Sequence, residues 1–164
     1  MIYPVPALVI EGMEDTGKST LCQALQDRLE AEGYKVQRFT PERLKDPDDL
    51  VGWYNSHFKM GLEIYRCQMK GDIIPLVDRS FITMLIYQFG VKSLLTHSPP
   101  RWLGNLMFGS PHLIFLIREN GIHAESYKAF SSMGHTTICL PEGSYCTESD
   151  TMLILETYKN RLKG

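Results

Sequence analysis

Ala7-Leu8-Val9-Ile10-Glu11-Gly12-Met13-Glu14-Asp15-Thr16-Gly17-Lys18-Ser19-Thr20 is the stretch from which the fold can be read. An apolar run opens directly into G-x-x-x-x-G-K-S, the pattern of a phosphate-binding loop set between a buried strand and a helix. Gly12 and Gly17 permit the tight turn that points successive main-chain N–H groups at phosphate oxygens, with Met13, Glu14, Asp15, Thr16 and Thr20 completing the nucleotide-binding loop. Lys18 is placed to reach the β- and γ-phosphates, and the Ser19 hydroxyl to ligate Mg²⁺. The positive end of the following helix adds to the same anion site. The pattern specifies a nucleoside triphosphate; it leaves kinase, GTPase and motor open.

Working outward, apolar periodicity and turn residues place strands at about 6–10, 34–39, 72–78, 112–117 and 136–140. Helices are expected at about 18–32, 50–70, 81–95, 124–130 and 150–162, with a short one over 101–108 after Ser98-Pro99-Pro100. Strands alternating with helices imply a three-layer α/β fold, a five-stranded parallel sheet with helices on both faces and the site at the strands' carboxyl ends. A chain of 164 residues is read as one domain, 1–164, with no internal repeat or low-complexity tract.

Composition removes other classes. A formal net charge of −2 gives no global attraction to nucleic acid or anionic membrane. Cys22, Cys67, Cys139 and Cys146 lack metal-site spacing and read as reduced thiols of a cytosolic protein. The apolar amino terminus has no basic segment or cleavage site, and no apolar run reaches membrane-spanning length. The expectation is a soluble, cytoplasmic protein (host cytoplasm if viral) with no membrane partner.

Four segments, in order, narrow the chemistry: Ile10 to Thr20, Arg38-Phe39-Thr40-Pro41-Glu42-Arg43, Leu76-Val77-Asp78-Arg79-Ser80, and Met84-Leu85-Ile86-Tyr87-Gln88. They resemble the I-E-G-x-D/E-x-x-G-K-S-T, R-F-P-E-R (here with one residue inserted), V-V-D-R-Y and S-L-A-Y-Q segments of thymidylate kinases, over about the first ninety residues. The resemblance implies a P-loop kinase fold, ATP and Mg²⁺ as cofactors, and a nucleotide acceptor such as dTMP. It implies that Arg43 and Arg79 contact the acceptor's phosphate, where a planar guanidinium suits the geometry; surface salt bridging is the alternative for both. Asp78 would act on Mg²⁺, directly or through water, or else cap the next helix. Lys18, Asp78 and Arg79 are thus the catalytic candidates. Glu14, an acid within an anion-binding loop, corresponds to the family's contact to the deoxyribose 3′-hydroxyl; a solvent-facing loop acid is the other reading.

The family's F-x-x-x-R positions fall on Trp53 and His57. Trp53 is a stacking surface for a pyrimidine, and His57 replaces the arginine that reads the base carbonyl; core packing and a satisfied surface histidine are equally compatible. The resemblance gives Gln88 the base edge and Tyr87 the sugar's 2′ position, with core packing the alternative for Tyr87.

The chain departs from the family after the fourth strand. No arginine follows Arg118 until Arg161, and the loop position that carries one in some members is Asp15, so 119–134 reads as a reduced lid with only Arg79, Arg118 or Lys128 to substitute. A trimmed lid admits a second reading, similar to phage relatives that phosphorylate 5-hydroxymethyluracil within DNA during thymidine hypermodification. That reading makes DNA the partner, although an esterified 3′ oxygen removes the hydrogen-bond partner of Glu14 and the acidic charge opposes duplex binding. A non-catalytic nucleotide-binding module is a third. Asp49-Leu50-Val51-Gly52 matches the D-x-x-G of GTP switches, but at a helix start and with no N-K-x-D guanine reader. The acceptor base and the assembly state, a homodimer included, stay open.

Overall fold

The computed structural model describes residues 2–13, 16–46, 48–83, 85–87, 111–132 and 134–164. Glu14, Asp15 and Gln88, the later part of the 81–95 helix and the 101–108 helix lie outside the described residues.

The expected sheet forms: β1 (Leu8–Gly12), β2 (Lys35–Phe39), β3 (Ile73–Asp78), β4 (His112–Arg118) and β5 (Thr136–Leu140) run parallel in the order β2-β3-β1-β4-β5. The central strands β1 and β4 are almost wholly buried, as near-continuous apolar runs in a parallel sheet must be. β1 starts and ends two residues later than the periodicity suggests. It stays paired with β4 through Gly12 opposite Leu116, so the strand continues into the first residue of the loop. Pro75 sits inside β3, an interior strand, at the cost of one ladder N–H.

Helices α1 (Lys18–Ala31), α2 (Leu50–Lys70), α3 (Ala124–Ser131) and α4 (Glu148–Leu162) join them. Residues 81–83 and 85–87 are also helical. α2 has the expected bounds because both ends are signalled locally: Asp49 accepts from the Gly52 N–H at 2.9 Å, and Gly71 follows the last turn. The D-x-x-G match is therefore a helix cap. α4 begins two residues before the expected start. The Thr147 hydroxyl accepts from the Asp150 N–H (3.2 Å) while the Asp150 carboxylate accepts from the Thr147 N–H (2.8 Å), a reciprocal capping box.

The two sheet faces bury separate cores. α1 and α4 pack Leu25, Leu29, Ile154 and Tyr158 against Leu8, Ile10 and Leu116. On the other face Ile64 of α2, Ile86 and Tyr127 of α3 cover Val9, Val77 and Phe115. Sandwiching the sheet between helices leaves its carboxyl edge open as a place for a site. Among the described residues, no helix is long and apolar enough to cross a membrane. All four cysteines are free thiols.

Candidate functional site

Between β1 and α1 the chain turns through Gly17, which caps the helix with a left-handed φ of 78°. Gly12 tolerates no side chain, since a Cβ there would lie 2.7 Å from the Leu116 carbonyl oxygen. Lys18 is buried, and its ammonium donates to the Met13 carbonyl and lies 3.4 Å from the Thr16 hydroxyl, which itself donates to Met13 O at 2.7 Å. The loop's own carbonyl thus occupies the cation where phosphate oxygens would bind. Thr20, the last residue of the expected loop, is exposed on the first turn of α1.

The β1–β3 register sets Asp78 level with Ile10, at the mouth of this loop. Ser19 Oγ donates to Asp78 Oδ2 at 3.2 Å, and the Arg38 guanidinium stands 3.7 Å from the same oxygen. Ser80, whose hydroxyl accepts from the Ile82 N–H at 3.2 Å, caps the next helical turn, so that role does not fall to Asp78. Arg79 adopts a left-handed φ of 71°, rare for a residue with a side chain, and its N–H closes on Ile10 O at 3.0 Å. Among the described residues no group of three His, Cys, Asp or Glu could hold a metal by itself. A hydroxyl and one carboxylate side by side fit Mg²⁺, which takes few protein oxygens and fills its shell with phosphate and water.

Beyond Ser19 and Asp78 opens a cavity of about 690 Å³, whose wall brings together Arg43, Trp53, His57, Arg79 and Tyr87. Trp53 and His57 stack one turn apart on α2, ring centroids 5.7 Å and planes 12° apart. His57 is no surface histidine: it is 2% exposed, and neither ring nitrogen has a hydrogen-bond partner among the described residues. Burial lowers its pKa to about 4, so the ring is neutral and offers one donor and one acceptor. Tyr87 is not core; it is 40% exposed and tilts against His123 at 4.4 Å.

Sequence reasoning missed Glu11. It is fully buried in β1 and accepts from the Ser80 N–H and the Thr83 hydroxyl, both at 2.5 Å, and from the Ser80 hydroxyl. Desolvation raises its carboxyl to about 7 against the pull of those bonds and of Lys18. The available signal was a lone acid inside an apolar strand. Arg38 beside Asp78 was quoted only as part of a segment. Tyr145 was also unforeseen: its ring approaches Gly17 and lies 5.5 Å from the Arg118 guanidinium. Arg118 donates to Pro141 O (3.0 Å) and Ser144 O (2.8 Å), tying the loop after β5 to the end of β4. Lys128 pairs with Glu125 at 3.1 Å on an exposed stretch of α3.

No family model and no curated protein matches the chain. Among solved structures, the Bacillus subtilis YorR protein, in complex with phosphorylated GDP, superposes with a TM-score of 0.64 at 14% identity, covering 96% of this chain and 98% of that one. Thymidylate kinase from Ehrlichia chaffeensis gives a TM-score of 0.59 at 12% identity, covering 96% and 98%. At such identities the likeness concerns architecture, and with the loop geometry above it identifies the fold as that of the P-loop kinases.

Proposed function

We propose that this protein is an ATP-dependent nucleotide kinase of thymidylate-kinase type, moving the ATP γ-phosphoryl to a thymidine-type nucleotide, dTMP or a modified pyrimidine deoxynucleotide. One observation carries the reading. Ser19 and Asp78 are the common wall of the phosphate loop and of a cavity that holds two arginines and a stacked aromatic pair. A donor's terminal phosphate and an acceptor's oxygen can meet there end to end.

Lys18 leaves Met13 O for the β- and γ-phosphates. Arg43 and Arg79 hold the acceptor's phosphate, and Trp53 stacks on its base while the neutral His57 ring pairs with the base edge. Ser19 and Asp78 would hold Mg²⁺, which would supply charge neutralisation at the transferring group. A bond forms between the acceptor phosphate oxygen and γ-phosphorus as the bond to the β,γ-bridging oxygen breaks, and ADP departs with that electron pair. A phosphate anion attacks without a protein base. Arg79, which follows Asp78 and lines the same cavity, stands in for a lid arginine; Arg118 secures the loop behind Gly17.

The test is ATP, Mg²⁺ and a panel of acceptors: dTMP, other pyrimidine deoxynucleotides, GMP and dGMP (for the guanine nucleotide in YorR), and DNA bearing 5-hydroxymethyluracil. Phosphorylation of a free pyrimidine deoxynucleotide, lost in Lys18→Ala, is the expected result. Transfer only to DNA, only to a purine nucleotide, or ATP binding with no transfer to any acceptor would each overturn the proposal.

A further inference from the structure

Arg79 sits in a backbone conformation that its side chain disfavours. Its φ of 71° lies in the left-handed region, where a residue with a Cβ persists only if its surroundings over-determine it. The two soft torsions of a residue are set once the peptide planes on either side of it are held. The plane before Arg79 is held by its own N–H, which donates to Ile10 O at 3.0 Å. The plane after it is held by the Ser80 N–H, which donates to Glu11 Oε1 at 2.5 Å. The Ser80 hydroxyl donates to the same oxygen and the Thr83 hydroxyl to Glu11 Oε2 at 2.5 Å, while the Thr83 N–H closes on Ser80 O at 3.1 Å. One side chain of β1 thus binds three donors of the turn that follows β3.

We infer that Glu11 is a positioning residue: by pinning Ser80 and Thr83 it holds Arg79 left-handed, and so keeps the Arg79 side chain in the cavity. Glu11 is fully buried and stands behind the cavity, which Arg79, Ser80 and Thr83 line. It is paired with Phe115 on β4, on the sheet face whose core includes Val9, Val77 and Phe115. Burying a carboxyl there is costly unless its oxygens are used, and an apolar side chain would fill the place at less cost. What the acid adds is an acceptor for the turn. Without it the Ser80 N–H is released and Arg79 relaxes to a negative φ. The direction of its Cα–Cβ bond then changes, and the guanidinium leaves the place where the acceptor's phosphate would bind. The proposed kinase reading supplies what Arg79 does in the cavity; how Arg79 is held there does not depend on it.

Three variants test this. Glu11→Leu removes the acceptors at similar volume, and Glu11→Gln keeps both acceptor and reach. Glu11→Asp keeps a carboxylate but, one methylene shorter, draws it back from Ser80; it serves should the leucine variant not fold. Crystal structures should show Arg79 at a negative φ in the leucine and aspartate variants and left-handed in the glutamine variant. With the acceptor that the wild type uses, kcat/KM should fall about 100-fold in Glu11→Leu and stay within about threefold in Glu11→Gln. In an Arg79→Ala background, Glu11→Leu or Glu11→Asp should cost less than about threefold more, because the side chain it positions is gone. A glutamate that merely stabilised the fold would cost the same in both backgrounds. An Arg79 that stays left-handed in the leucine or aspartate variant, or losses that add in the double variant, would overturn the inference. A wild type that phosphorylates no acceptor would overturn the proposed function instead, and the conformation of Arg79 would still decide this one.

Discussion

Replacing Glu11 with glutamine should make the protein more stable at alkaline pH and leave it almost unchanged in acid. Burial lifts the Glu11 carboxyl from 4.5 to about 7, so the folded state holds a proton that the unfolded chain has already released. A raised folded-state value means that the stability tied to this proton is complete below pH 4.5 and is lost as pH climbs through 7. Integrated between pH 5 and pH 8, the loss is about 2–3 kcal/mol. Glutamine imitates the protonated acid. Its carbonyl accepts from the Ser80 N–H, and its amide donates to the Thr83 oxygen, whose own proton can turn toward the Tyr127 hydroxyl 3.4 Å away. Chemical denaturation of both proteins at pH 5 and pH 8 isolates the effect, because every other titrating group cancels in the difference. The glutamine variant should gain about 2–3 kcal/mol on wild type between the two pH values. A difference that stays constant within about 0.5 kcal/mol would show that the carboxylate ionises in the fold as freely as in water.

Gly12→Ala should cost about 2–3 kcal/mol in a urea melt, because the new Cβ meets the Leu116 carbonyl, which is held in the β1–β4 ladder and cannot retreat; a change below about 0.5 kcal/mol would contradict the packing at that contact. Arg43→Ala should raise KM for the acceptor about 10–100-fold with a much smaller effect on kcat, the signature of a lost charge-assisted contact to bound substrate. Steady-state rates with varied acceptor check it, and an unchanged KM would remove Arg43 from the site.

What the sequence made legible was local. The phosphate loop spans contiguous residues, and the bounds of α2 are written in Asp49 and Gly71 on either side of it. Asp78 and Arg79 were legible as the end of an apolar strand, since a parallel sheet presents such positions to its functional edge. The missed features join distant residues. Glu11 meets Ser80 and Thr83 across about seventy positions, and Tyr145 reaches Gly17 from the far end of the chain. Neither contact leaves a periodicity, because each depends on which strands lie side by side. His57 shows the middle case. Its place on the cavity wall follows from a helix that was readable, while its burial without a partner depends on packing that was not.

A module that only bound nucleotide would need one anion cradle, and this chain sets against its glycine-rich loop a cavity that holds two arginines, Arg43 and Arg79, among the carboxylates Glu42, Asp48 and Asp78. The joint is Asp78. Its carboxylate faces Ser19 on the loop side, and the next residue, Arg79, turns through a left-handed conformation into the cavity. The β1–β3 register that sets Ile10 against Asp78 fixes both at once. A slip of one residue would turn Val77 toward Ser19 and carry the carboxylate to the opposite face of the sheet, breaking the wall that the two pockets share. Strand pairing in the core therefore decides whether the proposed donor and acceptor sites would adjoin, and the proposed transfer depends on buried contacts that would touch neither substrate.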